Sequence, residues 1–338
     1  MRRTLFLTPL YASLLLGLAA CGGGGGDEPG PAGSVTLPSG ARAGAATAGA
    51  DLNSSNALQV GTSLAKALRG DATGGVTGPA AASRAKALSA RQSGARGLPS
   101  PLLLARQALY SAGPKLPTQR AQASTATISS LPCPGGGRMT VTTDDMDGNG
   151  VLSSGDSVLT NFSACATGPG EPPLNGRFDL SLNAVTVSPT GSALNLDATA
   201  TFTDFAVQGE GTLSGSVRLW LVTEGLQERF RMSYQNARLT LPTGEVQQLQ
   251  YDLYGSQTDA QLNLELSGAI GMGNQLYAAS STAVFMAGPD GVMRSGSSQL
   301  RDAAGDVLQL QAQTSGRYDL TLTNANGQFL WSSLGLGW

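Results

Sequence analysis

NGRFDLSL, residues 175–182, alternates apolar with polar side chains: Phe178, Leu180 and Leu182 against Asp179, Ser181 and, one residue on, Asn183. A period of two marks a strand with one buried face and one wetted face. The same alternation recurs downstream. It is carried by Phe230/Met232/Tyr234, Leu249/Tyr251/Leu253, Leu262/Leu264/Leu266, Leu308/Leu310/Ala312 and Tyr318/Leu320/Leu322. Turn dipeptides separate the runs: Thr190-Gly191, Glu224-Gly225, Thr243-Gly244, Gly273-Asn274, Asp290-Gly291, Gly305-Asp306 and Asn326-Gly327. Glycine at such positions admits the positive φ that tight hairpins demand. No amphipathic helical pattern interrupts the series from Arg138 onward. About twelve strands are expected, each with one polar face, in an all-β antiparallel sheet built as a sandwich, barrel or half-barrel. Residues 315–322, SGRYDLTL, echo the opening stretch, as two similar strands of one meander would.

The segment before this β domain has a different character. From Gly22 to Pro132 there are ten Lys/Arg against four Asp/Glu, net +6, whereas Cys133 to Trp338 holds nine Arg, no Lys and nineteen Asp/Glu, net −10. Such asymmetry marks a basic tail or linker on a separate acidic domain. Residues 21–130 are rich in Gly, Ala, Ser and Pro, and much of this stretch reads as a spacer that cannot offset its own ordering entropy. Two short helices are expected within it. Ser100-Pro101-Leu102 opens the better one, with a Ser cap, proline at the first helical position, and a stop at Gly113-Pro114. Leu102, Arg106, Leu109 and Tyr110 form its apolar side. The second runs from about Asn56 to Arg69, weakened by Gly61. Two S-x-x-K strings, Ser63–Lys66 and Ser83–Lys86, share the spacing of the penicillin-binding-protein nucleophile and base. No KTG follows and the later domain lacks lysine altogether, so chance in a Ser/Ala/Lys-rich segment is the better account.

The opening MRRTLFLTPLYASLLLGLAAC has a charged front, an apolar middle too short for a comfortable span, and small residues before a cysteine. Leu18-Ala19-Ala20-Cys21 resembles the lipobox of bacterial lipoproteins. That resemblance implies a signal peptide at residues 1–20, cleavage before Cys21, a diacylglyceryl thioether on its sulfur and acylation of the new amino terminus. Several acyl chains make a durable membrane anchor. Gly22, in place of an aspartate, favours the outer membrane. With Cys21 given to lipid, Cys133 and Cys165 are an even pair in an oxidising compartment, where a disulfide is the default.

One stretch carries dense chemistry. DDMDGNGVLSSGD, residues 144–156, gathers four aspartates, an asparagine and three glycines in a chain without histidine. Counted from Asp145, it follows the twelve-residue calcium loop of EF-hands: Asp145, Asp147 and Asn149 at alternate positions, Gly150 at the turn, Val151 offering its carbonyl, Ser153 a water-bridging position, and Asp156 closing the shell. Leu152 is expected to tuck into the core. Hard oxygen ligands suit Ca²⁺, and the absence of histidine and free thiol disfavours zinc or copper. Asp156 is one methylene shorter than the usual glutamate, which weakens bidentate closure. The flanks, Arg138–Thr143 and Ser157–Ser163, read as β-branched strands. The loop therefore resembles those grafted between non-helical elements in extracellular bacterial proteins, with a structural role for the ion. If the flanks pair as a hairpin over residues 138–163, Cys133 and Cys165 meet at its open end.

Function classes narrow accordingly. A net charge of −2 leaves no nucleic-acid footprint. Without histidine, neither a Ser-His-Asp nor a Cys-His arrangement exists, and the spacing of Glu210, Glu224, Glu228, Glu245 and Glu265 singles out no carboxylate pair. The expectation is a non-enzymatic, outer-membrane-anchored protein, with a signal peptide at 1–20, a tether at 21–130 and a β domain at 131–338 acting as a structural or binding module. As a whole it resembles β-rich envelope lipoproteins of Gram-negative bacteria. The alternative is a half-barrel carrier of lipid or another hydrophobic ligand. The terminal Leu334–Trp338, alternating and aromatic-ended, is also met in outer-membrane barrels, but several runs are shorter than the roughly 9–11 residues such strands need.

Overall fold

The computed structural model describes residues 35–40, 42–75, 98–112, 125–166, 168–187, 194–224, 227–258, 260–288 and 291–338. The signal segment, Cys21, Ser83–Lys86 and the Thr190-Gly191 turn lie outside them. Among the described residues two helices, α1 (Ala57–Gly75) and α2 (Pro101–Ala112), precede fifteen strands. The strands are β1 (Thr125–Pro132), β2 (Arg138–Asp145), β3 (Ser157–Cys165), β4 (Leu174–Val187), β5 (Leu194–Val207), β6 (Gly211–Glu224), β7 (Gln227–Tyr234) and β8 (Ala237–Thr240). They continue as β9 (Val246–Gln257), β10 (Leu262–Met272), β11 (Gln275–Ala287), β12 (Met293–Arg301), β13 (Val307–Ala312), β14 (Arg317–Thr323) and β15 (Phe329–Gly337).

All fifteen belong to one antiparallel sheet whose strands lie side by side in chain order, except that short β8 slots between β6 and β9 beside β7. Among the described residues β1 pairs only with β2 and β15 only with β14, so the sheet is open at both edges. It is a single continuous sheet, not two stacked ones. The six alternating runs read from the sequence all present their apolar members to the interior; Phe178, Leu180, Met232, Leu253, Leu310, Leu320 and Leu322 are completely buried. Several strands run farther than the sequence pattern indicated: β4, β5 and β6 have 14 residues each. Glycine-bearing bulges carry them past the points where strict alternation fails, as at Gly176, with φ of 97° opposite the Asp204–Phe205 backbone.

The sheet must curve. Fourteen strands abreast, β7 and β8 sharing one place, at about 4.8 Å would lie some 65 Å wide if flat, far beyond the reach of two short helices. Yet α1, α2 and strands from β2 to β14 contribute to one hydrophobic core. The rings of Phe285 on β11 and Trp338 beyond β15 approach to 6.2 Å across a separation of four strands. One face thus wraps around the helices. α2 lies against β2, β3, β4 and β6, while α1 lies against β10, β13 and β14.

Both helices occur where sequence placed them, and both are seated rather than free. Gly61, which weakens α1 by propensity, faces β14 so closely that a Cβ there would lie 2.5 Å from Leu320 Cδ1. Ser63 is buried, its hydroxyl donating to the Gln59 carbonyl and accepting from Gln247 Nε2, while Lys66 is exposed, so the Ser63–Lys66 string forms no catalytic pair. Arg106, on the apolar side of α2, pairs with Glu228 in the core.

The stretch from Pro38 to Leu52, where described, begins against outward-facing side chains of β7 and β9 and ends with Ala50 and Leu52 in the core. Arg231 donates to the Pro38 carbonyl, Tyr254 to that of Gly40, and Arg42 to that of Tyr234. Thr47 then exchanges bonds with Leu276, Gln275 donates to the Gly49 carbonyl, and the Leu52 amide donates to Asp302. The compact unit containing the sheet runs from Gly33 to Trp338. The expected boundary near residue 131 therefore does not coincide with the packing: where 21–130 is described, it supplies the strap, both helices and most of β1. Average composition hid these contacts because they rest on a few leucines and on backbone groups. No helix among the described residues is long and apolar enough to cross a membrane.

Candidate metal centre

β2 and β3 form the hairpin that the flanking sequences indicated, in register from Arg138↔Ser163 to Asp144↔Ser157. Met139, Val141, Val158 and Phe162 face the core. At the far end the twelve-residue loop closes on itself. Gly148 and Gly150 adopt φ of 70° and 76°, a left-handed conformation that other residues resist. Leu152 is buried in the core, as expected, and anchors the loop from beneath.

The carboxylates of Asp145, Asp147 and Asp156 converge, each offering an oxygen within 4.8 Å of the others. Some point therefore lies within about 2.8 Å of all three oxygens, so one cation with oxygen bonds of roughly 2.3–2.6 Å, as calcium makes, could be shared among them with little adjustment. Asp145 accepts from the amides of Gly148 (2.7 Å) and Gly150 (2.8 Å), one on each oxygen. Asp147 accepts from the Asn149 amide at 3.0 Å, from Asn149 Nδ2 at 2.7 Å and from Ser153 Oγ at 3.0 Å. Asp156 takes the amides of Met146 (2.8 Å) and Ser153 (2.7 Å) and the Ser153 hydroxyl (3.1 Å). The Asn149 side-chain oxygen accepts from the Val151 amide at 2.7 Å.

Three acids and one serine of the expected set are therefore together. Ser153 bridges two of the acids. Asn149 is adjacent but turned to the loop backbone, and the Val151 side chain is half exposed. Asp144 lies in the ladder, outside the cluster. Burial pushes the Asp156 carboxyl up, against the amide and hydroxyl bonds it receives, with the charge of Asp147 adding to the rise. Burial also works against ionised Asp147, but the bonds from Asn149 and Ser153 hold its carboxyl below the usual range. A buried, fully enclosed carboxylate beside two more is a concentrated negative site, and a hard cation is the natural complement.

Two further restraints frame the loop. Cys133 and Cys165 form a disulfide with Cα atoms 5.4 Å apart, closing the hairpin's other end. Gly135 and Ala166 exchange backbone bonds nearby through the Gly135 amide to Ala166 and the Ala166 amide to Gly136. Sequence reasoning missed the second restraint, which comes from β4. The Gly155 amide donates to Leu182, the Leu182 amide to Asp156, and Ser154 Oγ to the Asn183 carbonyl. Apart from the Ser154 hydroxyl, these are backbone acceptors and donors with no side-chain signature. Of the candidate glutamates, Glu228 has its carboxylate held by Arg106 at 2.6 and 3.1 Å. Comparison with known families, with curated proteins and with solved structures finds no match to this chain.

Proposed function

We propose that this chain is a lipid-anchored protein of the bacterial cell envelope whose β domain holds a structural calcium ion and serves as a binding or structural module. The observation carrying the calcium reading is the meeting of Asp145, Asp147 and Asp156 oxygens at the turn of a strand hairpin. All ligands on offer are hard oxygens, three of them carboxylate, which suits Ca²⁺ over softer metals. A lone loop between strands has no helix pair to open, so the ion would fix the hairpin turn and its junction with β4 rather than switch it. The disulfide supports an oxidising compartment, in keeping with export through the Leu18–Cys21 motif and anchoring in the outer membrane by Cys21. The affinity expected is that of extracellular modules, about 10⁻⁴ to 10⁻³ M.

Titrating calcium while following thermal unfolding tests the metal. The midpoint should rise in the parent and stay fixed in Asp145→Ala/Asp147→Ala; a parent indifferent to millimolar calcium removes the assignment. Mass spectrometry of the intact chain, with Cys21→Ser as control, tests the acyl anchor separately.

The open, curved sheet also favours a second reading, a carrier for a hydrophobic ligand. α1 and α2 occupy its apolar face, so a ligand would have to displace one of them. Lipid that co-purifies, and reloads after delipidated refolding, would support this reading.

A further inference from the structure

Half of the ten large apolar side chains exposed among the described residues lie on the two open edges of the sheet: Ile128 and Leu131 on β1, and Phe329, Leu330 and Leu334 on β15. Edge strands ordinarily carry charges or proline that discourage pairing with another chain. β15, FLWSSLGLG, has neither in nine residues. The two edges differ in support. No apolar side chain of β1 belongs to the core, whereas Trp331, Leu336 and the adjoining Trp338 pack against it from the β15 side. Arg317 and Asp319 of β14 both bond back to Gly335, the former to its carbonyl and the latter from its amide. β15 is therefore a braced, neutral edge with its next strand-to-strand bonds unmade.

Its irregularities are symmetric. Trp331, Ser332 and Ser333 pair regularly with Leu322, Thr321 and Leu320, and the register shifts on either side, at Leu330 and at Leu334–Gly335. Each shift sets out a leucine, exposed by 45% at Leu330 and 71% at Leu334. Ser332 lies midway between them. A twofold axis through Ser332 would place Leu330 of one chain opposite Leu334 of the other, twice, and Phe329 opposite Gly335, where no side chain obstructs the ring. An uncharged strand meets no like charge in its own copy, and antiparallel self-pairing generates a closed twofold without further growth.

We propose that β15 is a homodimer interface, through which two copies join edge to edge about Ser332. So short a ladder buries less than the roughly 1,200–2,000 Å² of a stable complex, which makes the dimer weak and concentration-dependent.

Sedimentation of the full chain over a wide concentration range should show monomer passing to dimer. Leu334→Lys, or Ser332→Lys should the first variant fold poorly, should weaken association at least tenfold at unchanged unfolding temperature. Ser332→Cys should give a reducible dimer on electrophoresis. Monomer at every concentration overturns the proposal, as does a dimer indifferent to both lysine variants or one lost instead to Ile128→Lys on β1.

Discussion

Arg106 of α2 and Glu228 of β7 form a bidentate ion pair inside the core, at 3.1 and 2.6 Å, with side chains exposed by only 6% and 3%. Between an apolar helix face and an apolar sheet face, this contact has directional demands, so it fixes where α2 lies along β7. Its two charges are costly to bury and compensate one another.

Breaking the pair from one side leaves the other charge stranded. Glu228→Gln should lower stability by about 3–5 kcal/mol, and Arg106→Leu/Glu228→Leu together should lose far less than either change alone. Urea midpoints of the three variants decide this. Additive losses would show that the residues do not act as a pair.

Gly44 lies against β10, where an added Cβ would sit 1.6 Å from the Gly268 carbonyl oxygen, whereas at Gly49 a Cβ would meet nothing within 4 Å. Gly44→Ala should therefore lift the strap or cost about 1–3 kcal/mol of overpacking, and Gly49→Ala should do neither. Hydrogen exchange of residues 42–52 provides the readout. Equal protection in both variants would mean that the strap is not held at Gly44.

Much of this fold was legible because one physical pattern governs it. Phe178, Met232 and Tyr318 were assigned to the inner face from alternation alone, and all are buried. α2 begins where Ser100-Pro101 indicated, since a serine cap and a first-turn proline act locally. The acids of the loop were legible from spacing, because a curling backbone brings alternate residues to one centre. Global curvature was not. The same alternation serves sandwich, barrel and open sheet, and only the pairing, in chain order and not closed between β1 and β15 among the described residues, distinguishes them. The strap was invisible for another reason: Thr47, Gly49 and Ala50 are held through backbone groups, which every sequence possesses. Arg106 and Glu228 were each noticed, but nothing in their spacing of 122 residues joins them.

The disulfide spans 32 positions, and a closed loop of that length is worth about 3–4 kcal/mol on the chain-entropy model. Cys133→Ser/Cys165→Ser should shift the denaturant midpoint accordingly. Calcium should still bind, because seven paired positions from Arg138 to Asp144 separate the sulfur end from the loop. Loss of calcium response in the serine variant would show instead that the two ends of the hairpin are coupled.

The loop acids also set a pH dependence whose sign can be worked out. Asp147 is held below the usual carboxyl range, so its ionised form stabilises the folded chain above the ordinary aspartate value, and this is lost as pH falls through the lowered one. Asp156 is raised by burial, so without metal it acts in the opposite sense: folding weakens as pH rises from the ordinary value through the raised one, where the buried group must ionise. The two act in adjacent windows, so in chelator the unfolding temperature should, on their account, be highest near the ordinary aspartate value and fall on either side of it. Calcium changes the balance, since it takes both carboxylates ionised and satisfies the buried charge of Asp156. The calcium-induced rise should be full near neutrality and fade toward about pH 4, as protons displace the ion. Scanning unfolding temperature against pH, with and without millimolar calcium, checks this. A calcium increment that persists undiminished into acid would place the ion at groups other than Asp147 and Asp156.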